Sequence, residues 1–114
     1  MTTAHLDSSV LAVLKEIMGE DYPMLVDTYL KDSAHRLGEL QPLSDPKALR
    51  EAAHSFKGSS SNMGAARLAD WCSQLEHLPL DAPEDLVAFL LGHITEEFAA
   101  VKAVFVAQGF PAQP

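Results

Sequence analysis

The sequence predicts an all-α fold, an antiparallel up-and-down four-helix bundle with a short extra helix at its N-terminus. Three observations carry that expectation. Apolar residues recur at three- and four-residue spacing in segment after segment, which is the period of one helix face. The breaks between segments are short and built from proline, glycine and aspartate, residues that stop and start helices. No run of alternating polar and apolar residues is long enough for a strand.

The first segment, LDSSVLAVLKEIMG, offers Asp7 as an N-cap. It places Val10, Leu11, Leu14, Ile17 and Met18 at helical spacing before Gly19, predicting a helix over 8–18. In the second, EDYPMLVDTYLKDSAHRLGEL, Pro23 suits a first helical turn. Leu25, Val26, Tyr29, Leu30, Leu37 and Leu40 form an apolar stripe that runs to about Leu40. QPLSDPK reads as a turn, with Ser44 and Asp45 as caps for a third helix that has Pro46 in its first turn. The fourth segment, AARLADWCSQLEHL, repeats Leu68, Trp71, Cys72, Leu75 and Leu78. After PLDAP, Asp81 and Pro83 open a last helix through Leu86, Phe89, Leu90, Ile94, Phe98, Val101, Val104 and Phe105, ending by Gly109. One domain spans 1–114, with 106–114 a frayed tail.

At 114 residues there is room for one core and no second domain. Hydrophobic residues make up 47% of the chain, enough for an ordinary core and too many for a disordered polymer. The 16 acidic side chains against 8 basic ones leave a formal charge of −8, which repels a polyanion, so nucleic acid is a poor candidate partner and none is expected. Cys72 is the single cysteine, too few for an intrachain disulfide or a cysteine-rich metal site, and it suits a reducing compartment. MTTAHLDSS lacks the basic and apolar regions of a signal peptide, and the longest apolar run, LVAFLLG, is too short to span a bilayer. The expectation is a cytoplasmic protein, complete as a small chain, away from membranes and monomeric.

The stretch AHSFKGSSSNMGA, residues 53–65, carries the functional signal. With about 100° between successive residues of a helix, Leu49, Ala52, Ala53, Phe56, Ser60 and Met63 fall on one side. Arg50, His54, Lys57, Gly58 and Ser61 fall on the other. The apolar set continues past Gly58 in register, so the helix does not break there. A glycine inside a helix costs roughly 1 kcal/mol relative to alanine, and here it leaves bare backbone one turn beyond His54. Bulky partners thereby gain access to the imidazole, and Lys57 puts a positive charge beside any anion bound there. A neutral imidazole is a competent nucleophile for a phosphoryl group, with one ring nitrogen attacking while the other is held by a hydrogen bond.

These residues, together with CSQLE on the next helix, resemble the histidine-containing phosphotransfer (HPt) domains, densely over 48–78 and through helix pattern elsewhere. MGEDYPMLVDTYLKD is similar to the second-helix region of small stand-alone bacterial members. The resemblance implies a phosphocarrier in two-component signalling, in which His54 takes a phosphoryl group from a receiver-domain aspartate and passes it to another receiver. Lys57 would counter the phosphate charge, Gly58 would leave room for the receiver, and Gly64 and Ala65 would close the turn into the next helix. Arg50, Ser61 and Glu76 would meet the partner, Glu76 near the imidazole. Phe56 stands where leucine is more usual. The implied partners are receiver domains of hybrid sensor histidine kinases and of response regulators. Mg²⁺ belongs to the receiver, and the protein has no cofactor or nucleotide site of its own.

Other readings of the same residues are weaker. A P-loop needs G-x-x-x-x-G-K-[ST] after a strand, whereas Lys57 precedes Gly58 and Gly64 is followed by Ala65. Glu51 to His54 has the E-x-x-H spacing of di-iron bundles and Asp32 to His35 a weaker D-x-x-H, but such a site needs further core carboxylates and an inward histidine. A kinase dimerisation helix would carry H-E-x-x-[TN]-P, which is absent. His5, His35, His77 and His93 read as surface residues, the serines Ser59–Ser61 as small residues for close packing, and Trp71 and Cys72 as core. The alternative function is a helical module that binds a receiver or another signalling protein without accepting phosphate.

Overall fold

A computed structural model describes residues 5–40 and 45–111. Five α-helices follow one another: α1 (Ser8–Met18), α2 (Tyr22–Glu39), α3 (Pro46–Asn62), α4 (Ala66–Glu76) and α5 (Glu84–Ala107), with a 3-10 turn Gly19–Asp21 between the first two. No strand occurs among the described residues.

Local chemistry sets the helix ends. Asp7 caps α1 by accepting from the Ser9 N–H at 2.9 Å, and Gly19, at φ 54°, ends it. Pro23 sits in the first turn of α2, where its missing N–H costs nothing. Asp45 caps α3 through the Ala48 N–H at 3.0 Å, with Pro46 next to it in the first turn. Ser44, expected to share that role, lies outside the described residues. Pro83 opens α5, and Glu84 and Asp85 in its first turn suit the positive end of the helix dipole.

Consecutive helices pack α2 on α3, α3 on α4 and α4 on α5, and Tyr29 of α2 meets Phe105 of α5 edge-on, which closes the bundle. The interior holds Phe56, Phe105, Leu30, Leu68, Leu75, Ile94, Val26 and Val101. Ser60 is equally buried, its hydroxyl 2.9 Å from the Tyr29 hydroxyl, so the middle of the serine run joins α2 to α3.

Three expectations need correction. Ile17 is 72% exposed, because α1 has neighbours on one side only, and Leu11 is its one buried residue. Leu86 and Phe89 of the α5 stripe are exposed as well. The tail is not frayed from 106: α5 runs to Ala107, and Phe110 turns back onto Tyr22 and Phe105 with ring centroids at 5.9 and 5.7 Å. Residues 112–114 lie outside the described part.

The turn between α3 and α4 is the tightest joint. Gly64 has φ 77°, its carbonyl accepts from the Asp7 N–H at 2.8 Å, and a Cβ there would lie 3.1 Å from the Asp7 carbonyl oxygen and 3.2 Å from the Val10 Cβ. Both the left-handed backbone and the crowding oppose a side chain. Gly64→Ala is expected to lower stability by about 2 kcal/mol, seen as a lower urea midpoint at unchanged slope.

Candidate functional site

The helix α3 stays unbroken through His54, Lys57, Gly58 and Ser61. His54 is exposed, its side chain 67% accessible. Across from it α4 runs back from the Gly64 turn and ends at Glu76, the residue that the packing of the two helices brings beside the imidazole. Glu76 Oε1 lies 2.7 Å from His54 Nδ1, and Glu76 Oε2 lies 2.7 Å from Lys57 Nζ. One carboxylate thus joins the two α3 residues.

The charge state of that carboxylate fixes the proton on the ring. The Lys57 ammonium first, and the His54 contact second, hold the Glu76 carboxyl below its usual range, so it is ionised near neutral pH. An ionised carboxylate can only accept. Nδ1–H must therefore donate to Glu76, and in the neutral ring this leaves the lone pair on Nε2. Nε2 has no partner among the described residues, so the nucleophilic nitrogen is the open one.

Gly58 lies one turn along from His54, and a Cβ built there would meet nothing within 4 Å. Its bare surface is unused by the bundle itself. Ser61 is exposed two turns from His54, about 10 Å along the axis.

Arg50 departs from the expected picture. It is 8% exposed, and its guanidinium donates to the carbonyls of Leu78 at 3.2 Å and Pro79 at 2.7 Å. The connection from α4 to α5 folds over this side of α3 and captures the side chain. Arg50 is a strut for that connection rather than a residue displayed to a partner.

The remaining titratable groups sort by their contacts. Burial pushes the Cys72 thiol up to about 12, so it stays protonated. Two histidines expected at the surface have defined places instead. His93 stacks on Trp71 with centroids 4.2 Å apart, and His5 Nδ1 lies 2.7 Å from Glu97 Oε2, whose other oxygen is 3.8 Å from Arg67. His77 donates from Nδ1 to the Ser73 carbonyl at 2.7 Å, and His35 sits out on α2, 4.0 Å from Glu39. The Glu51–His54 pair lies exposed on α3, and no grouping of three or more His, Cys, Asp or Glu side chains suited to a metal occurs among the described residues. A groove of about 530 Å³ between α2 and α3 is lined by Asp32, Arg36, Glu51 and Ser55 among others and does not include His54. No described helix is long and apolar enough to cross a membrane.

Comparison with known proteins places this geometry in context. A family model described as Hpt domain matches residues 24–104. The sensory/regulatory protein RpfC from two strains of Xanthomonas campestris pv. campestris is 37% identical over 86 residues, covering 62% of this chain. The match takes in 12% of RpfC, so the chain corresponds to a small part of those curated relatives. The crystal structure of histidine-containing phosphotransfer protein B (HptB) from Pseudomonas aeruginosa PAO1 superposes with a TM-score of 0.82 at 43% identity, covering 91% of this chain and 93% of that one.

Two outcomes follow from the site's geometry. Gly58→Ala adds a methyl group into open space within a helix and is expected to raise stability by about 1 kcal/mol, read from denaturant unfolding. Glu76 has a folded-state pKa below its unfolded one, so its contribution is complete above the ordinary carboxyl range and vanishes as pH falls through the depressed value. Wild type should therefore exceed Glu76→Gln in stability near neutral pH, and the two unfolding midpoints should converge in acid.

Proposed function

The chain belongs to the Hpt domain family, and on that premise we propose that it relays phosphoryl groups through His54, from the aspartyl phosphate of one receiver domain to the aspartate of another. The observation that carries this reading is the His54 ring itself, held at Nδ1 by Glu76, which also pairs with Lys57, with Nε2 unpartnered among the described residues and the bare backbone of Gly58 one turn along.

The chemistry needs little more from this chain. Nε2 attacks phosphorus in line with the bond to the receiver's aspartate, that P–O bond breaks, and its electron pair leaves with the carboxylate. Lys57, three residues on and on the same face, supplies a positive charge for the arriving phosphoryl oxygens. Gly58 admits the receiver's surface without a side chain in the way. Mg²⁺ bound in the receiver's own acidic pocket would neutralise charge on the phosphoryl group. Ser61, exposed further along the same helix, lies on the path of a partner seated over His54.

The partners we propose are receiver domains of hybrid sensor histidine kinases and of response regulators. Similarity to a segment of RpfC, a sensory/regulatory protein, supports that class of partner. The net charge of −8 argues against nucleic acid. A bundle whose core closes within one chain supports a monomer, and the lone, protonated thiol of Cys72 suits the cytoplasm.

Mixing the protein with a phosphorylated receiver domain tests the proposal. Wild type is expected to acquire an acid-labile, alkali-stable label and His54→Gln none, with both variants equally folded by circular dichroism. A label that persists in His54→Gln refutes the assignment. A folded wild type that binds the receiver but takes no label identifies a binding module instead.

A further inference from the structure

The helix face that carries His54 is unequal on its two sides along α3. One turn after the imidazole lies Gly58, with open space above its backbone. One turn before it lies Arg50, where the chain leading from α4 to α5 closes over the helix. Residues 77–82 therefore form a lip on one side of the imidazole, and the bare glycine leaves the other side open.

The lip is built to keep one shape. The nearly buried Arg50 guanidinium donates from Nε to the Leu78 carbonyl at 3.2 Å and from Nη2 to the Pro79 carbonyl at 2.7 Å. The Ala82 N–H closes a turn onto that same Pro79 carbonyl at 3.0 Å, and the ring of Pro79 fixes its own φ. Leu78 and Ala82 pack against the core. Leu80, between them, is 58% exposed and borders a hollow of about 100 Å³ with Pro46, Leu49 and Arg50. Polar residues dominate the crests of surface turns, yet here a rigid turn displays a leucine.

We propose that this lip is part of the surface on which a receiver domain docks, with Leu80 as its apolar contact and Arg50 as the positioning residue that holds it. The inference rests on the reading above, in which receivers meet this chain at His54. Three arguments carry it. The first is reach: a standard interface covers about 800 Å² on each partner, a disc about 16 Å in radius. The helix rise puts Arg50 about 6 Å and Pro46 about 12 Å from His54 along the axis, so a receiver centred on the imidazole extends over the hollow that Leu80 borders. The second is polar satisfaction. The Leu78 and Pro79 carbonyls already hold donors from Arg50, so a partner can cover the turn without orphaning them. The third is preorganisation, since a turn already fixed loses little freedom on docking. The receiver that fits carries an apolar side chain beside the acidic pocket of its phosphorylated aspartate.

The test follows the backbone amides of the ¹⁵N-labelled protein by NMR as an unlabelled receiver domain of a hybrid sensor kinase is added. Transfer from the phosphorylated receiver is then measured over a range of protein concentrations. Amides within 77–82 are expected to shift together with those around His54. In Leu80→Ser the KM is expected to rise about tenfold, as for one leucine lost from a buried contact, with kcat within about twofold of wild type. Val106→Ser, an exposed site near the far end of α5, is expected to transfer like wild type. Arg50→Leu should raise KM as well, and add little in the double variant, because both changes act through one contact. Additive effects of the two substitutions overturn the positioning role of Arg50. An unchanged KM in Leu80→Ser overturns the docking role of the lip. Self-association of wild type in sedimentation velocity that Leu80→Ser abolishes assigns the lip to a second copy and overturns it too. Label on His54 without shifts at 77–82 overturns the lip and leaves the phosphocarrier reading standing. Shifts at 77–82 without label do the reverse, and absence of both strikes both.

Discussion

The Glu76 carboxylate, shared between His54 and Lys57, is the interaction on which the site turns, and it exists only while α3 and α4 keep their register. A slip of one residue along α4 would rotate Glu76 by about 100° and remove both contacts. The register is set from the far end of the hairpin. Gly64 makes the turn, the Ala65 N–H returns to the Ser60 carbonyl at 2.9 Å, and the segment before α1 ties itself to that turn through the Asp7 N–H. Ala53, Phe56, Leu68, Cys72 and Leu75, all buried, fill the space beneath. The polar cluster at the surface is thus a readout of apolar packing below it.

The helix carrying the histidine contains conformational contradictions that this packing resolves. Gly58 and three consecutive serines are weak helix formers, yet α3 runs unbroken to Asn62. Phe56 and Ser60 explain why: one is fully buried and meets Phe98 edge-on at 6.1 Å, the other is fully buried against Tyr29. Tertiary contacts on the inner face hold the helix, which frees the outer face to carry residues chosen for access and charge. Burial of Tyr29 drives its hydroxyl up to about 12, so its bond to Ser60 persists at any ordinary pH.

Much of this was legible in the sequence because it is encoded locally. Asp7, Asp45, Pro23 and Pro46 each mark a helix start through chemistry within one turn, and the spacing of Leu49, Ala53, Phe56 and Met63 orients α3 by itself. That orientation sufficed to place His54, Lys57 and Gly58 outward. The failures are all long-range. Arg50 sits on the outward side of the helical wheel, and nothing local says that the connection after α4 will fold over it. Phe110 looked like part of a loose tail because its partners, Tyr22 and Phe105, are distant or belong to another turn. His5 and His93 acquire their roles from Glu97 and Trp71, partners that only the folded bundle supplies. The bridge from Glu76 to Lys57 belongs to the same class, spanning two helices and therefore invisible to a single-helix projection.

The α3–α4 hairpin has a further consequence for how such a site can be inherited. His54, Lys57, Gly58, the Gly64 turn and Glu76 lie on one uninterrupted stretch of chain, and the contacts among the reactive groups close within it. The chemistry therefore travels as a single cassette, separable in sequence from α1, α2 and α5. Its shape is nonetheless borrowed: Ser60 bonds Tyr29 of α2, Phe56 meets Phe98 of α5 and the Gly64 turn is tied to Asp7, so the chemistry is contiguous in sequence while its rigidity comes from the rest of the bundle.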